Sequence, residues 1–524
     1  MAKSVTRPFG VRDKVGYLFG DFGCNLSFQL LSGYLMLYVT QGMGLTTGHW
    51  AIIVLVAKIF DAINDPIIGA LVDSRKPGKN GKYRPWIFWG SFAIAITTML
   101  LFIDFSSFPY WGRFAYCLIM YCLWSIAYTA ANVPYGSLNA ALTDDPGQRA
   151  SLSSLRSIGA GIAVMPLTVL IPMIGYGEKV LGPDGNMIQL IKPEVFFGIA
   201  AVCGIVGILG FMLTVFLTKE RQVVAPSTQK INYFRTLKNF VKNRAALGIS
   251  LASFAQLVFV MSYSTVIPLV CQFYFGDGQK SGVLSLIMML PMMVVIPFMG
   301  KLTKKFGKRE ISLWPNLVCI VVLLILLVIP LPAEPWAMWV YAGFFGVTML
   351  VSGPFMLGNW SMVADCVDAQ EIQTGTREEA SVYATYSLAR KMAQGVGAAF
   401  VALCLGWVGY NAEAPSSTTS AAAAGIMKLS IILPLIGYAL IFVSLFFLYN
   451  LSKAKVEENG ALLRAKRAAE AGEGGVSGEI VADEVAVDVP AADDAAVEGA
   501  VAEEGGIEPA GEAPVKEDGE DSAE

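Results

Sequence analysis

The sequence predicts an all-α integral membrane protein of twelve transmembrane helices in two six-helix halves. Three observations predict it. The 524 residues are 55% hydrophobic and only 15% charged, with a mean hydropathy of +0.57, too apolar for an ordinary soluble domain. Twelve apolar runs follow one another, at about 16–40, 49–72, 86–105, 112–142, 155–176, 195–218, 245–275, 281–302, 311–332, 335–366, 379–409 and 425–450, each long enough to cross a bilayer. Lys and Arg concentrate in alternate connections, and the most basic of these divides the runs six and six.

The connections justify the arrangement in order. The N-terminus carries Lys3, Arg7, Arg12 and Lys14, and the second connection Arg75, Lys76, Lys79, Lys82 and Arg84. The middle connection carries Lys219, Arg221, Lys230, Arg235, Lys238, Lys242 and Arg244, and the eighth carries Lys301, Lys304, Lys305, Lys308 and Arg309. Residues 41–48, 333–336 and 410–424 have no Lys or Arg. Basic loops stay on the cytoplasmic side, so a multi-pass protein of a bacterial-type inner membrane with both termini cytoplasmic is expected. The short polar start, Met1 to Arg7, is no cleavable signal peptide. The basic connection after the second span is echoed after the eighth. Two six-span halves with that echo are the pattern of the major facilitator architecture, whose site lies at mid-membrane. The expected units are 1–218, a first six-helix half; 219–244, a cytoplasmic middle loop; 245–450, a second half; and 451–524, an acidic, mostly disordered cytoplasmic tail.

Residues 468–524 hold 18 Asp and Glu against one Lys, so that segment, at −17, hides a net +14 on the rest of a chain whose total is −3. Lys453 to Ala469 reads as a short amphipathic helix. From Gly472 onward the chain has no apolar periodicity, and no transport role is expected of it. The eight cysteines form no C-x-x-C pair and His49 is the one histidine, which argues against a disulfide framework or structural zinc. There is no phosphate-binding glycine loop and no nucleophile–histidine pair, so the chain does not read as an enzyme. No cofactor, no structural metal and no nucleic-acid partner are expected, and a monomer is.

The organising stretch is Lys58-Ile-Phe-Asp61-Ala-Ile-Asn64-Asp65-Pro66, inside the second span. Ionisable groups in hydrocarbon are expensive and functional by default. Lys58, Asp61 and Asp65 fall at i, i+3 and i+7 with Asn64 alongside, and so share one helical face. Two carboxylates one turn apart cannot both stay ionised in a dry site. A bound cation or a proton would resolve that, since hard cations take oxygen ligands. The alternative is a structural ion pair between Lys58 and one Asp.

Other spans carry polar stripes. Asp21, Asn25, Gln29 and Ser32 recur along the first, and Trp124, Tyr128, Asn132 and Gly136 along the fourth with Thr129 one step aside. Arg156 opens the fifth, and Tyr383, Ser387, Arg390, Lys391 and Gln394 line one side of the eleventh. Such groups must face a cavity or a partner. Stripes on several helices can enclose one cavity, in which aromatic rings stack on sugar faces and Asn, Asp and Arg bind hydroxyls. Helix–helix glue is the plainer alternative for any single Ser, Thr or Gln.

Several stretches together resemble a known family. They are Gly20-Asp-Phe-Gly-Cys-Asn25, Phe60-Asp-Ala-Ile-Asn-Asp-Pro66, Gly81-Lys-Tyr-Arg-Pro85, Asn132-Val-Pro-Tyr-Gly-Ser-Leu138, Asp144 through Arg149 to Arg156, Ala364-Asp-Cys-Val-Asp368, Thr374-Gly-Thr-Arg377 and Arg390-Lys391 to Gln394. Residues of about 10–450 resemble the glycoside–pentoside–hexuronide:cation symporters, the branch that includes melibiose and glucuronide carriers. The resemblance implies a cation site at Asp61, Asn64, Asp65 and Thr129, and a sugar site to which Asn25, Asn132, Arg156 and Lys391 contribute. Melibiose-type carriers have Asp where this chain has Asn25 and Asn132, and an ungapped match sets Gln394, not Lys391, opposite their lysine. The glucuronide carrier resembles this chain at both Asn positions, at Trp360 and at Arg390-Lys391.

The expectation is therefore a symporter coupling Na⁺ or H⁺ to a sugar, with Asp21, Asn25, Trp124, Tyr128, Asn132, Arg156, Trp360 and Lys391 around the substrate. Arg149, Asp365, Asp368 and Arg377 are expected to gate the cytoplasmic side. The rivals are a carrier of another substrate such as a lysophospholipid, an uncoupled sugar facilitator and a transport-dead sugar sensor.

Overall fold

The computed structural model describes residues 7–75, 78, 80–143, 145–221, 243–374, 379–412 and 414–473. The first six spans are α1 (Val11–Leu37), α2 (Thr47–Ser74), α3 (Arg84–Leu101), α4 (Tyr110–Leu142), α5 (Pro146–Gly175) and α6 (Pro193–Leu217). The second six are α7 (Arg244–Tyr274), α8 (Gly278–Phe306), α9 (Lys308–Val328), α10 (Pro335–Thr374), α11 (Glu379–Trp407) and α12 (Ser420–Phe447). Among the described residues, ten helices are long and apolar enough to cross a membrane. α1 and α2, at 27 and 28 residues, exceed the roughly 20 residues a hydrocarbon core requires and complete the twelve. α7 is not a plain helix: it widens into π-turns at Gln256–Val260 and Val270–Tyr274.

Helix starts follow their capping residues. Thr46, Asp145, Asn243 and Thr419 each accept a backbone N–H one turn on, opening α2, α5, α7 and α12. α3 is capped from a distance. The Glu220 carboxylate accepts the N–H groups of Lys82, Tyr83 and Arg84 at 2.6, 2.9 and 2.9 Å, an anion at a helix N-terminus. Arg221 pairs with the buried Asp13 at 2.9 Å. The start of the expected middle loop is thus bonded into the first half, and its residues 222–242 lie outside the described residues.

Packing repeats between the halves. α1 packs on α5 and α6, α3 on α4 and α6, and α2 on α4; in parallel, α7 packs on α11 and α12, α9 on α10 and α12, and α8 on α10. The halves meet along two equivalent crossings, α2 with α11 and α5 with α8. Each crossing needs a glycine. A Cβ on Gly395 would lie 2.7 Å from the Cβ of Lys58, and one on Gly282 would lie 2.1 Å from the Thr168 carbonyl oxygen. Because backbone cannot yield as a side chain does, Gly282→Ala is expected to cost about 1–3 kcal/mol of packing. It should cut uptake several-fold at matched expression, whereas Gly343→Ala, which meets nothing within 4 Å, should leave uptake unchanged.

Two features differ from the sequence reading. No strand was expected between the fifth and sixth spans, yet β1 (Tyr176–Leu181) and β2 (Met187–Ile191) form an antiparallel hairpin. Its turn, Gly182-Pro-Asp-Gly-Asn186, holds Gly185 at φ +74°, a turn composition the sequence displays. A helix α13 (Lys453–Glu473) also extends past the expected Ala469 and packs on α9 and α10, because Val456, Asn459 and Leu463 turn inward while Leu462 stays exposed. So the segment is helix from Lys453 to Glu473, and residues 474–524 lie outside the described residues.

The hairpin sits at the end of the bundle opposite the basic connections and bridges the halves. Lys179 pairs with Asp277 at 3.3 Å, Asp184 accepts the Ser420 N–H at 2.7 Å, and Gln189 accepts the Gln279 N–H at 3.3 Å. Beside it, the amides of Gln41 and Gln272 bond reciprocally at 3.0 and 2.8 Å, and Gln41 also donates to Tyr410 at 3.0 Å. This end is held shut by contacts between the halves.

Candidate substrate and cation site

A cavity of about 220 Å³ lies between the halves, lined from α1, α2, α4, α5, α10 and α11. On α2, helical periodicity brings Lys58, Asp61 and Asp65 to its wall. Pro66 follows within the helix and, lacking an N–H, loosens the turn that carries the carboxylates. Lys58 Nζ lies 3.6 Å from Asp61 Oδ2. Asp65 accepts a hydrogen bond from Thr129 Oγ1 at 2.8 Å through Oδ1, and its Oδ2 is paired with Lys391 of α11. The sequence reading foresaw two carboxylates needing a cation or proton, or one pair with Lys58. The structure instead sets one ammonium against each carboxylate, and the second comes from the other half of the molecule.

Asn64 is buried but is not among the lining residues, and its Nδ2 has no hydrogen-bond partner among the described residues. The oxygens of Asp61, Asp65 and Thr129 form a donor set suited to a hard cation or a proton. Among the described residues, no three His, Cys, Asp or Glu side chains cluster as a metal site would require.

On the opposite wall, Arg156 Nε donates to Asp21 Oδ1 at 3.0 Å, and its guanidinium lies 5.5 Å above the Tyr135 ring. Asn25 Nδ2 donates to Asp21 Oδ2 at 2.8 Å. Asn132 Oδ1 lies 3.7 Å from the Cys24 thiol. Trp124 is fixed by its N–H to Ser27 Oγ, 2.8 Å, and stacks on Tyr128 with ring centres 5.1 Å apart. In the second half, Trp360 meets Tyr386 edge-on at 4.9 Å, and the Arg390 guanidinium lies 5.4 Å from the Trp360 ring.

All eight residues expected around the substrate therefore line one cavity, as do Asp61, Asp65 and Thr129. Phe28, Ser153 and Ser157 line it too and were missed. Their signal was present: Phe28 continues the face of Asp21 and Asn25, and Ser153 and Ser157 flank Arg156 on its helix. Of the expected gate residues, two are bonded within their own halves. Arg149 Nε donates to the Thr143 carbonyl at 2.9 Å within the first half, and Asp365 pairs with Lys308 at 2.8 Å within the second. Asp368 lies one turn beyond Asp365 on α10, and Arg377 lies outside the described residues.

Comparison with known proteins places this geometry in context. A family model described as MFS/sugar transport protein matches residues 16–453. An uncharacterised symporter of Bacillus subtilis (strain 168), YjmB, is 29% identical over 457 residues, which is 85% of this chain and 94% of that one. A glucuronide carrier protein homologue of Escherichia coli (strain K12) is 26% identical over 448 residues, covering 85% and 94%. A bacterial homologue of the human lysosomal transporter Spinster, solved inward-facing and unoccupied, superposes with a TM-score of 0.56 at 12% identity, over 84% of this chain and 99% of that chain.

Proposed function

Because the chain belongs to the MFS/sugar transport protein family, we propose that it is a secondary active transporter coupling Na⁺ or H⁺ to symport of a sugar, whether glycoside, pentoside or hexuronide, by alternating access. One observation carries this reading. One polar and aromatic cavity between the halves holds the α2 carboxylates Asp61 and Asp65, of which Asp65 reaches both α4 and α11. At about 220 Å³ it falls below the roughly 300–1,000 Å³ of drug-sized pockets, which suits a small hydrophilic solute better than a lysophospholipid. A relative named as a glucuronide carrier homologue brings glucuronides into range.

In this reading the basic end faces the cytoplasm by the positive-inside rule, with both termini there, and the membrane is a bacterial-type inner membrane. The closed hairpin end then faces outward, so the cavity is served from inside. The coupling ion enters at Asp61 and Asp65 with Thr129, and with Asn64 once that side chain turns, displacing the ammonium groups. The sugar lies among Asp21, Asn25, Trp124, Tyr128, Asn132, Arg156, Trp360 and Lys391, and the halves rock about the α2–α11 and α5–α8 crossings. Arg149, Asp365, Asp368 and Arg377 close the cytoplasmic side once the hairpin end opens. Linkage requires that sugar and ion raise each other's affinity by the same factor.

The test is counterflow of a sugar panel in proteoliposomes, with Na⁺ and pH varied separately. Ion-dependent exchange of one sugar class is expected; exchange indifferent to both ions would leave an uncoupled facilitator. Deleting residues 474–524 is expected to leave transport kinetics unchanged, and a large change at matched expression would give that segment a regulatory role.

A further inference from the structure

The charges around the cavity pair off with one left over. Four cations and three carboxylates line it. Arg156 takes Asp21, Lys58 takes Asp61 and Lys391 takes Asp65. Arg390 has no carboxylate partner among the described residues, and its Nη1 is buried without any hydrogen-bond acceptor. What it has is aromatic: its guanidinium lies 5.4 Å from the Trp360 ring and 5.8 Å from the Tyr386 ring. Such rings fix the plane of a guanidinium, and the Tyr386 hydroxyl lies within reach of one donor, but neither ring supplies a negative charge. An uncompensated cation in a membrane interior calls for a counter-anion.

We propose that Arg390 forms an anion subsite at the α10–α11 wall of the cavity, and that the transported molecule carries a carboxylate or sulfonate which this guanidinium grips. The inference rests on the sugar-carrier reading above and narrows it to an anionic sugar. Guanidinium matches a planar carboxylate through two parallel hydrogen bonds, and a sulfonate offers the same edge. Trp360 then presents a ring beside the charged group, against which a pyranose can lie. The charge balance favours the same answer. A coupling cation adds one positive charge to a cavity that already has one in excess. A neutral sugar leaves that charge uncompensated, whereas an anionic sugar returns the loaded cavity to its starting charge. Cation and substrate then help each other bind through their own attraction.

The experiment is a titration of the full chain in nanodiscs with glycosides matched except at C6. The probes are 4-nitrophenyl β-D-glucuronide, the corresponding 6-sulfonate and 4-nitrophenyl β-D-glucoside, together with their α-anomers and galacto-epimers. Binding is followed by calorimetry at saturating Na⁺ and at low pH. Wild type is expected to bind a charged member at least about tenfold more tightly than its neutral twin, about 1.4 kcal/mol. The better of carboxylate and sulfonate identifies the anion. Arg390→Gln should erase that preference by weakening the charged member alone, and Arg390→Lys should keep part of it, since charge remains while the two-pronged geometry is lost. Equal affinity for charged and neutral twins in wild type would overturn the anion subsite while leaving the sugar carrier intact, and this outcome requires no variant to fold. Equal weakening of both twins by Arg390→Gln would overturn it as well, reducing Arg390 to a support for Trp360. Binding of no sugar of either kind would sink the sugar-carrier reading and the subsite with it.

Discussion

Asp65→Asn is expected to abolish concentrative uptake while leaving sugar exchange down its gradient within about threefold of wild type. Asp65 is where three helices meet: it lies on α2, accepts a hydrogen bond from Thr129 on α4 and is paired with Lys391 on α11. The amide keeps the shape and one acceptor but removes the charge a coupling ion needs. Breaking a fully buried ion pair costs about 3–5 kcal/mol. Here the Lys391 side chain is 44% exposed, so screening leaves only a fraction of that cost. The loss should therefore appear in coupling and not in folding: accumulation falls by at least about tenfold, roughly 1.4 kcal/mol or more of lost linkage, and the melting temperature in detergent changes little. Asp61→Asn, facing Lys58, should behave alike. Uptake against a gradient at the normal level in either mutant would remove these carboxylates from the cation site.

Locking the hairpin end should stop transport altogether. Lys179 on β1 and Asp277 in the α7–α8 connection are 3.3 Å apart at their charged ends and belong to different halves. Alternating access requires them to separate whenever the cavity opens on that side. With both replaced by Cys and joined by a bifunctional maleimide with a reducible spacer, uptake is expected to fall below about a tenth of wild type and to return when the spacer is reduced. The arithmetic is simple: a covalent bond removes the population open at the hairpin end, and flux scales with that population. Binding from the opposite side should survive, which separates a locked carrier from an unfolded one. The native cysteines are buried apart from the half-buried Cys122, so the single-Cys variants serve as clean controls. Full transport by the cross-linked protein would show that the hairpin rides along with the moving half and latches nothing.

The sequence by itself determined the number of spans, their division into six and six, and the faces that carry polar groups. These are local properties. Hydropathy over about 20 residues decides whether a segment enters hydrocarbon, and a repeat of 3.6 residues decides which side chains share a face. Lys58, Asp61 and Asp65 on α2, or Asp21 and Asn25 on α1, were legible for that reason, and so was their convergence with Trp124, Tyr128, Asn132 and Arg156 on one cavity, since polar stripes in a bilayer must meet.

Only the tertiary structure decided who pairs with whom. Lys391 reaches Asp65 across 326 residues of chain, and no periodicity within either helix specifies that pairing. The same holds for Glu220 capping α3 and for the contacts of Lys179 and Asp184 that close one end. The leftover charge on Arg390 exists only as the remainder of three pairings, one within α2 and two between helices, so composition cannot show it. Helix formation and membrane insertion are short-range, additive effects of hydropathy and backbone hydrogen bonding. Electrostatic matching inside a cavity depends on distances between segments remote in sequence, and those are set when the two halves pack.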